Sequence, residues 1–167
     1  MESQMKVFYP VVFGFITVIF VSFFIGSLFP SIFMEYPYSA TFYLLLCFAQ
    51  IVHSIEEYFT QFWDHIGEAF LIPLIIKFRK TEPLTLDKSF FIAGNIALIG
   101  IMLLYFRPIE NGASWAWFFG IVIAFVEIGN GILHCGTAIS QRKYYSGSVS
   151  GVFTLIAGFL LLVSMVI

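Results

Sequence analysis

Charge is scarce in this chain. Asp, Glu, Lys and Arg together supply 11% of the residues, against 60% apolar and 20% aromatic. That shortage excludes a soluble domain, because the core of 167 residues could not enclose so much apolar surface. Lipid has to cover most of it, and a mean hydropathy of +0.95 agrees. Cysteine is nearly absent: Cys47 and Cys135 are the only two, both inside apolar runs, and they carry no disulfide signal and read as small buried hydrophobes. Three histidines are too few for a His-rich di-iron membrane desaturase. There is no Gly-rich phosphate loop, Gly-x-Ser-x-Gly elbow or CxxC pair, and no basic aromatic surface, so no nucleic-acid partner is expected.

What the chain does have is long apolar runs. About 20 helical residues cross roughly 30 Å of hydrocarbon, and residues 7–29, 40–61, 89–106, 115–139 and 149–167 are long enough, or nearly so. The first run follows Lys6 but is longer than a signal-peptide core and lacks a small-x-small cleavage site, so it reads as a retained helix. A shorter stretch, 69–76, contains Pro73 and precedes Lys77, Arg79 and Lys80, which fits an interfacial or re-entrant piece. The expected fold is therefore all-α: one membrane bundle over residues 1–167, with about five transmembrane helices plus a short interfacial or re-entrant helix.

Basic residues set an orientation. With a cytoplasmic N-terminus, Lys6, Lys77, Arg79, Lys80, Lys88, Arg142 and Lys143 all fall inside, leaving Arg107 alone outside. The expectation is a plasma or inner membrane protein with its C-terminus outside. The second and fourth runs then descend in the same direction.

Those two runs carry the residues that least belong in lipid. His53, Glu56 and Glu57 lie in one, and Glu127, Asn130 and His134 in the other. A charge at mid-membrane costs roughly 2.5 to 3.5 kcal/mol on insertion scales, so three carboxylates there need a reason. At 1.5 Å per residue both sets lie about 22 Å from the outer surface, level with each other and toward the cytoplasmic leaflet. At 100° per residue the first set spans about 100° of helix face and the second about 60°, so each is a polar stripe. Two level stripes on parallel helices can meet inside the bundle.

Two imidazoles and up to three carboxylates suit zinc, iron or manganese, and i, i+3, i+4 spacing lets one helix present several ligands. The expected metal set is His53, Glu57, Glu127 and His134, with Glu56 as general base and Asn130 as an orienting group. A site opening between apolar helices points to a lipid or other hydrophobic substrate and to zinc or iron as cofactor. Two other classes use the same residues: a proton- or cation-coupled transporter, and a structural subunit or homo-oligomer held by a buried polar network. Metal-free, the same groups can pass protons. Small size and the lack of visible inverted repeats weigh against transport.

The pattern His53-x-x-Glu56-Glu57, followed by Glu127-x-x-Asn130-x-x-x-His134, resembles the HXXEE domain family of small integral-membrane proteins. The family's third motif, Tyr-x-Pro-Gly, has its counterpart in Tyr144, Tyr145, Ser146 and Gly147, with serine in place of proline. The resemblance runs from Tyr43 to Leu161 and implies an enzymatic role at these residues without naming a substrate. The third motif sits about two to three turns beyond His134, at the edge of the expected site. Its alternative reading is helix packing through Gly147 and Gly151. Trp63, Asp64, His65 and Glu68 are expected to continue the second helix into the interface, with Trp63 in an aromatic belt and His65 a weaker ligand candidate. Asn95 reads as an interhelical hydrogen-bond former, and Cys135, about 100° from His134, as no co-ligand.

Overall fold

The computed structural model describes residues 38–69 and 86–166, together with Thr17, Phe20, Val21, Phe24 and Leu28. Among the described residues the regular structure is all helical. In chain order it comprises α1 (Ser39–Phe59), a short α2 (Phe62–His65) running into a 3-10 turn (Ile66–Glu68), α3 (Lys88–Glu110), α4 (Ser114–Gln141) and α5 (Ser148–Val166). Four of these, α1, α3, α4 and α5, are long and apolar enough to cross a membrane. The expected first span and the 69–76 stretch lie outside the described residues, apart from five helical positions in the former and Ala69 in the latter.

Each helix stops for a local reason. Thr60 turns its hydroxyl back onto the Glu56 carbonyl at 2.7 Å, and Gln61 adopts a left-handed φ of 54°, which breaks the chain out of α1. The expected continuation of that helix through Glu68 is therefore corrected. After the break, Trp63 packs, 8% exposed, with Phe62, Phe91 and Tyr145. Asp87 starts α3 by accepting from the amides of Ser89 at 2.8 Å and Phe90 at 3.2 Å. Arg142, left-handed at φ 52°, ends α4.

Contacts along the helices define the bundle. Ser39 at the start of α1 reaches the Ser164 carbonyl near the end of α5, and Glu56 near the end of α1 reaches Ser150 at the start of α5, so these two helices are antiparallel. Tyr43 donates to the Met102 carbonyl at 2.8 Å while Gln50 meets Asn95, which makes α1 and α3 antiparallel as well. Small residues bring α4 and α5 close: a Cβ on Gly131 would stand 2.5 Å from the Gly151 carbonyl oxygen. It follows that α1 and α4 run the same way on a diagonal, with α5 wedged along both. The core between them is built from Tyr43, Leu46, Met102, Phe119, Ile123 and Leu161, and Phe48, Leu104, Phe125 and Phe159 face outward to lipid.

Candidate metal centre

Because α1 and α4 are parallel, their polar stripes arrive at the same level. His53 (0% exposed) and Glu57 (4%) occupy one face of α1, a turn apart, and His134 (1%) faces them from α4. One ligand atom from each lies within 4.8 Å of the other two. The Glu57 Oε1 atom is 3.5 Å from His53 Nε2 and 3.2 Å from His134 Nε2. Ligands bound to zinc tetrahedrally at 2.0 to 2.1 Å stand about 3.3 Å apart, close to the two separations that Glu57 makes.

The far side of each imidazole is held. His134 Nδ1 lies 2.5 Å from the Ser146 carbonyl oxygen, which can only accept, so Nδ1 carries the proton. His53 Nδ1 bonds the Ser150 hydroxyl at 2.8 Å. Both Nε2 atoms are buried without a hydrogen-bond partner. In neutral His134 the Nε2 lone pair would then face a carboxylate oxygen at 3.2 Å, two electron-rich atoms that repel unless a cation lies between them. Outer partners that set the tautomer and leave Nε2 free are the usual dress of a metal-binding histidine.

The α4–α5 loop supplies Ser146 and the first turn of α5 supplies Ser150, and Gly147 lets both come close. At φ +78° it takes a left-handed conformation, and a Cβ there would lie 2.6 Å from His134 Nδ1 and 2.8 Å from His53 Cε1. Only glycine fits against both rings. The expected Gly147–Gly151 packing pair is thus split: Gly151 serves helix contact with Gly131 and Gly147 serves the site. Ser146, in the place of the family's proline, bonds the Thr60 hydroxyl through its own and so ties the loop to the end of α1. Phe62 and Tyr145 close over His134 with ring centroids at 4.9 and 5.8 Å.

The other expected residues divide. Glu56 stands outside the three-residue group: it caps α5, accepting from the amides of Ser150 at 2.6 Å and Val149 at 3.3 Å and from the Tyr144 hydroxyl at 2.6 Å. Burial and that bond to Glu56 push the Tyr144 phenol up to about 12, and burial, with the Glu68 and Glu57 carboxylates nearby, raises Tyr145. Glu127, 1% exposed, is not within the ligand group either, and both its oxygens lack a hydrogen-bond partner. Asn130, three residues further along α4, is the polar side chain that interacts with the Glu127 carboxyl. His65 is half exposed and pairs with Glu68 at 3.6 Å, away from the group. Asn95 does join helices, through Ser54 at 2.7 Å, and Cys135 stays apart near the Ser148 carbonyl.

Residues 44–162 match the family described as a protein of unknown function with an HXXEE motif. The chain belongs to the HXXEE family. No curated protein and no solved structure matches it. In this HXXEE protein the first and last letters of the motif, His53 and Glu57, enter the ligand group, while Glu56 anchors the start of α5, whose Ser150 meets the His53 ring. Ser146, already marked by the third motif, and Ser150, which no spacing rule singles out, hold those rings. Gln50, also missed, had a faint signal in its position three residues before His53 on the same face.

Proposed function

We propose that the protein is a metal-dependent integral-membrane enzyme acting on a lipid or other hydrophobic substrate. His53, Glu57 and His134 hold a zinc or iron ion. The observation that carries this reading is the trio of ligand atoms within 4.8 Å, with the His134 proton fixed on Nδ1 and Nε2 turned to Glu57. Three protein ligands leave coordination positions open, as catalytic zinc sites and two-His-one-carboxylate iron sites do. The metal supplies Lewis acidity or activates water. Glu56, engaged by three donors, acts as a positioning residue through α5 and Ser150. Glu127 is the carboxyl left free to exchange a proton with the reacting group, and Asn130 orients it.

In this reading residues 7–29 form a fifth span, the N-terminus is cytoplasmic in a plasma or inner membrane, and the site opens toward the cytoplasmic leaflet. The bias of basic residues supports that orientation. Metal analysis of the purified protein tests the centre. One equivalent of zinc or iron, lost in His53→Ala and His134→Ala proteins that still fold, is the expected result. Metal-free protein whose stability is indifferent to both substitutions would sink the proposal.

A second reading is favoured by the same repulsion between His134 Nε2 and Glu57, since a proton relieves it as a metal does. The site would then belong to a proton-coupled transporter. Proton flux in liposomes, abolished by Glu57→Gln without any bound metal, would select it.

A further inference from the structure

The centre is closed. His53, Glu57 and His134 are all buried, so neither an ion nor a substrate reaches their ligand atoms unless part of the protein moves aside. Over His134 the cover is one short helix thick. The Phe62 ring of α2 lies 4.9 Å from the imidazole, centroid to centroid, while Asp64, His65 and Glu68 just beyond it are already exposed.

Two elements share the covering, and they are held differently. The α4–α5 loop is tied down beside the centre, Ser146 by the Thr60 hydroxyl and the start of α5 by Glu56, which also holds Tyr144. α2 is fastened at its outer rim. Tyr145 donates its hydroxyl to the His65 carbonyl at 2.8 Å, and Gln141 donates to the Glu68 carbonyl at 3.1 Å. Lys143 adds an exposed ion pair with Glu68 at 3.7 Å, of a kind that contributes little.

Local structure also marks α2 as the piece that moves. Its four residues are far fewer than a helix needs to stand alone, and neither it nor the 3-10 turn has a side-chain cap at its start. Gln61, which joins it to α1, carries a Cβ at φ 54°, a conformation kept only while Phe62 and Trp63 stay packed. Short elements with exposed hydrogen bonds open first.

Resting on the metal-centre reading, we propose that α2 and its 3-10 turn are a lid that swings on Gln61 and admits the ion and the substrate to the centre. Closed, Phe62 lies on His134 and keeps water from the ligand atoms. Opening breaks the bonds from Tyr145 to His65 and from Gln141 to Glu68 and uncovers the His134 ring. The ligands themselves stay in place, because the groups that hold the two imidazoles come from Ser146 and Ser150 and none from α2.

Histidine modification by diethyl pyrocarbonate, followed residue by residue by mass spectrometry, reads the opening on the full chain in lipid nanodiscs stripped of metal. His65, half exposed, is the internal standard. His134 should react slowly in the wild type and about fivefold faster in Tyr145→Phe, which removes one bond of the lid. Tyr43→Phe removes the same kind of bond ten residues before His53, about 15 Å along α1, and should leave the rate as it was. A bismaleimide that joins the lid to the loop, in a Glu68→Cys, Lys143→Cys protein lacking Cys47 and Cys135, should slow the reaction about tenfold or more. The cross-link decides: a His134 rate that ignores it overturns the lid, as does equal acceleration by Tyr43→Phe and Tyr145→Phe. Added zinc should protect His53 and His134. Gated labelling that zinc does not prevent upholds the lid and overturns the metal centre, and protection without gating does the reverse.

Discussion

Replacing Gly147 with alanine puts the whole site geometry at stake through one methyl group. The residue sits at φ +78°, a conformation that costs an L-residue with a Cβ about 1–2 kcal/mol. The new Cβ also arrives 2.6 and 2.8 Å from atoms of the His134 ring and 2.8 Å from His53 Cε1, and neither ring is a flexible end that can swing aside, because Ser146 and Ser150 hold both. Overpacking of this kind costs about 1–3 kcal/mol. Together the two effects predict a loss of about 2–5 kcal/mol, a large share of the roughly 5–15 kcal/mol that stabilises a typical fold. The assay is the unfolding midpoint in mixed detergent micelles, read beside zinc content and beside Gly94→Ala in α3. At Gly94 a Cβ meets nothing within 4 Å, so that variant should be as stable as the wild type or slightly more so. Gly147→Ala protein as stable as Gly94→Ala, with undiminished zinc, would refute the reasoning.

Glu56→Ala removes the acceptor for two α5 amides and the Tyr144 hydroxyl, and should cost about 1–3 kcal/mol in the same unfolding assay. Because Ser150 then loses its anchor, zinc affinity should fall too, while Glu56→Gln keeps an acceptor and recovers part of both. Asp87→Ala, which uncaps α3 at a distance from the site, should cost about 1 kcal/mol and leave zinc content unchanged. Tyr144 offers a titration: its phenol, raised from 10 to about 12, favours the fold in its protonated form. That stabilisation is complete below pH 10 and is lost as pH rises through about 12, and an ultraviolet titration of wild type against Tyr144→Phe should show one late-ionising phenol that Glu56→Gln moves back down.

The helices were legible because apolar runs and helices share a cause, the cost of exposing backbone polar groups to lipid. Agreement is within a few residues at most ends, as for 40–61 against Ser39–Phe59. The largest gap is in α3, expected to stop at 106 and observed to reach Glu110, because Arg107 ends the hydrophobic run without ending the helix. The break at Gln61 was hidden for the opposite reason. Nothing in Gln61-Phe62-Trp63 is a helix breaker by type, and the turn exists because Phe62 and Trp63 gain a packed cluster against α3 and the α4–α5 loop.

Sequence alone determined that this is a helical membrane protein and that His53, Glu57 and His134 share a level, since depth and facing follow from counting residues along a helix of known rise and twist. Only the tertiary structure decided what the carboxylates beside them do. Glu56 and Glu57 are chemically identical neighbours, but about 100° of helix face turns one toward the N-terminus of α5 and the other toward two imidazoles. Glu127 has the pattern of a ligand and lies apart from the trio, with Gln50 the further unpartnered acceptor of the same interior. Periodicity fixes a side chain's direction relative to its own helix; its partner depends on where the other helices stand.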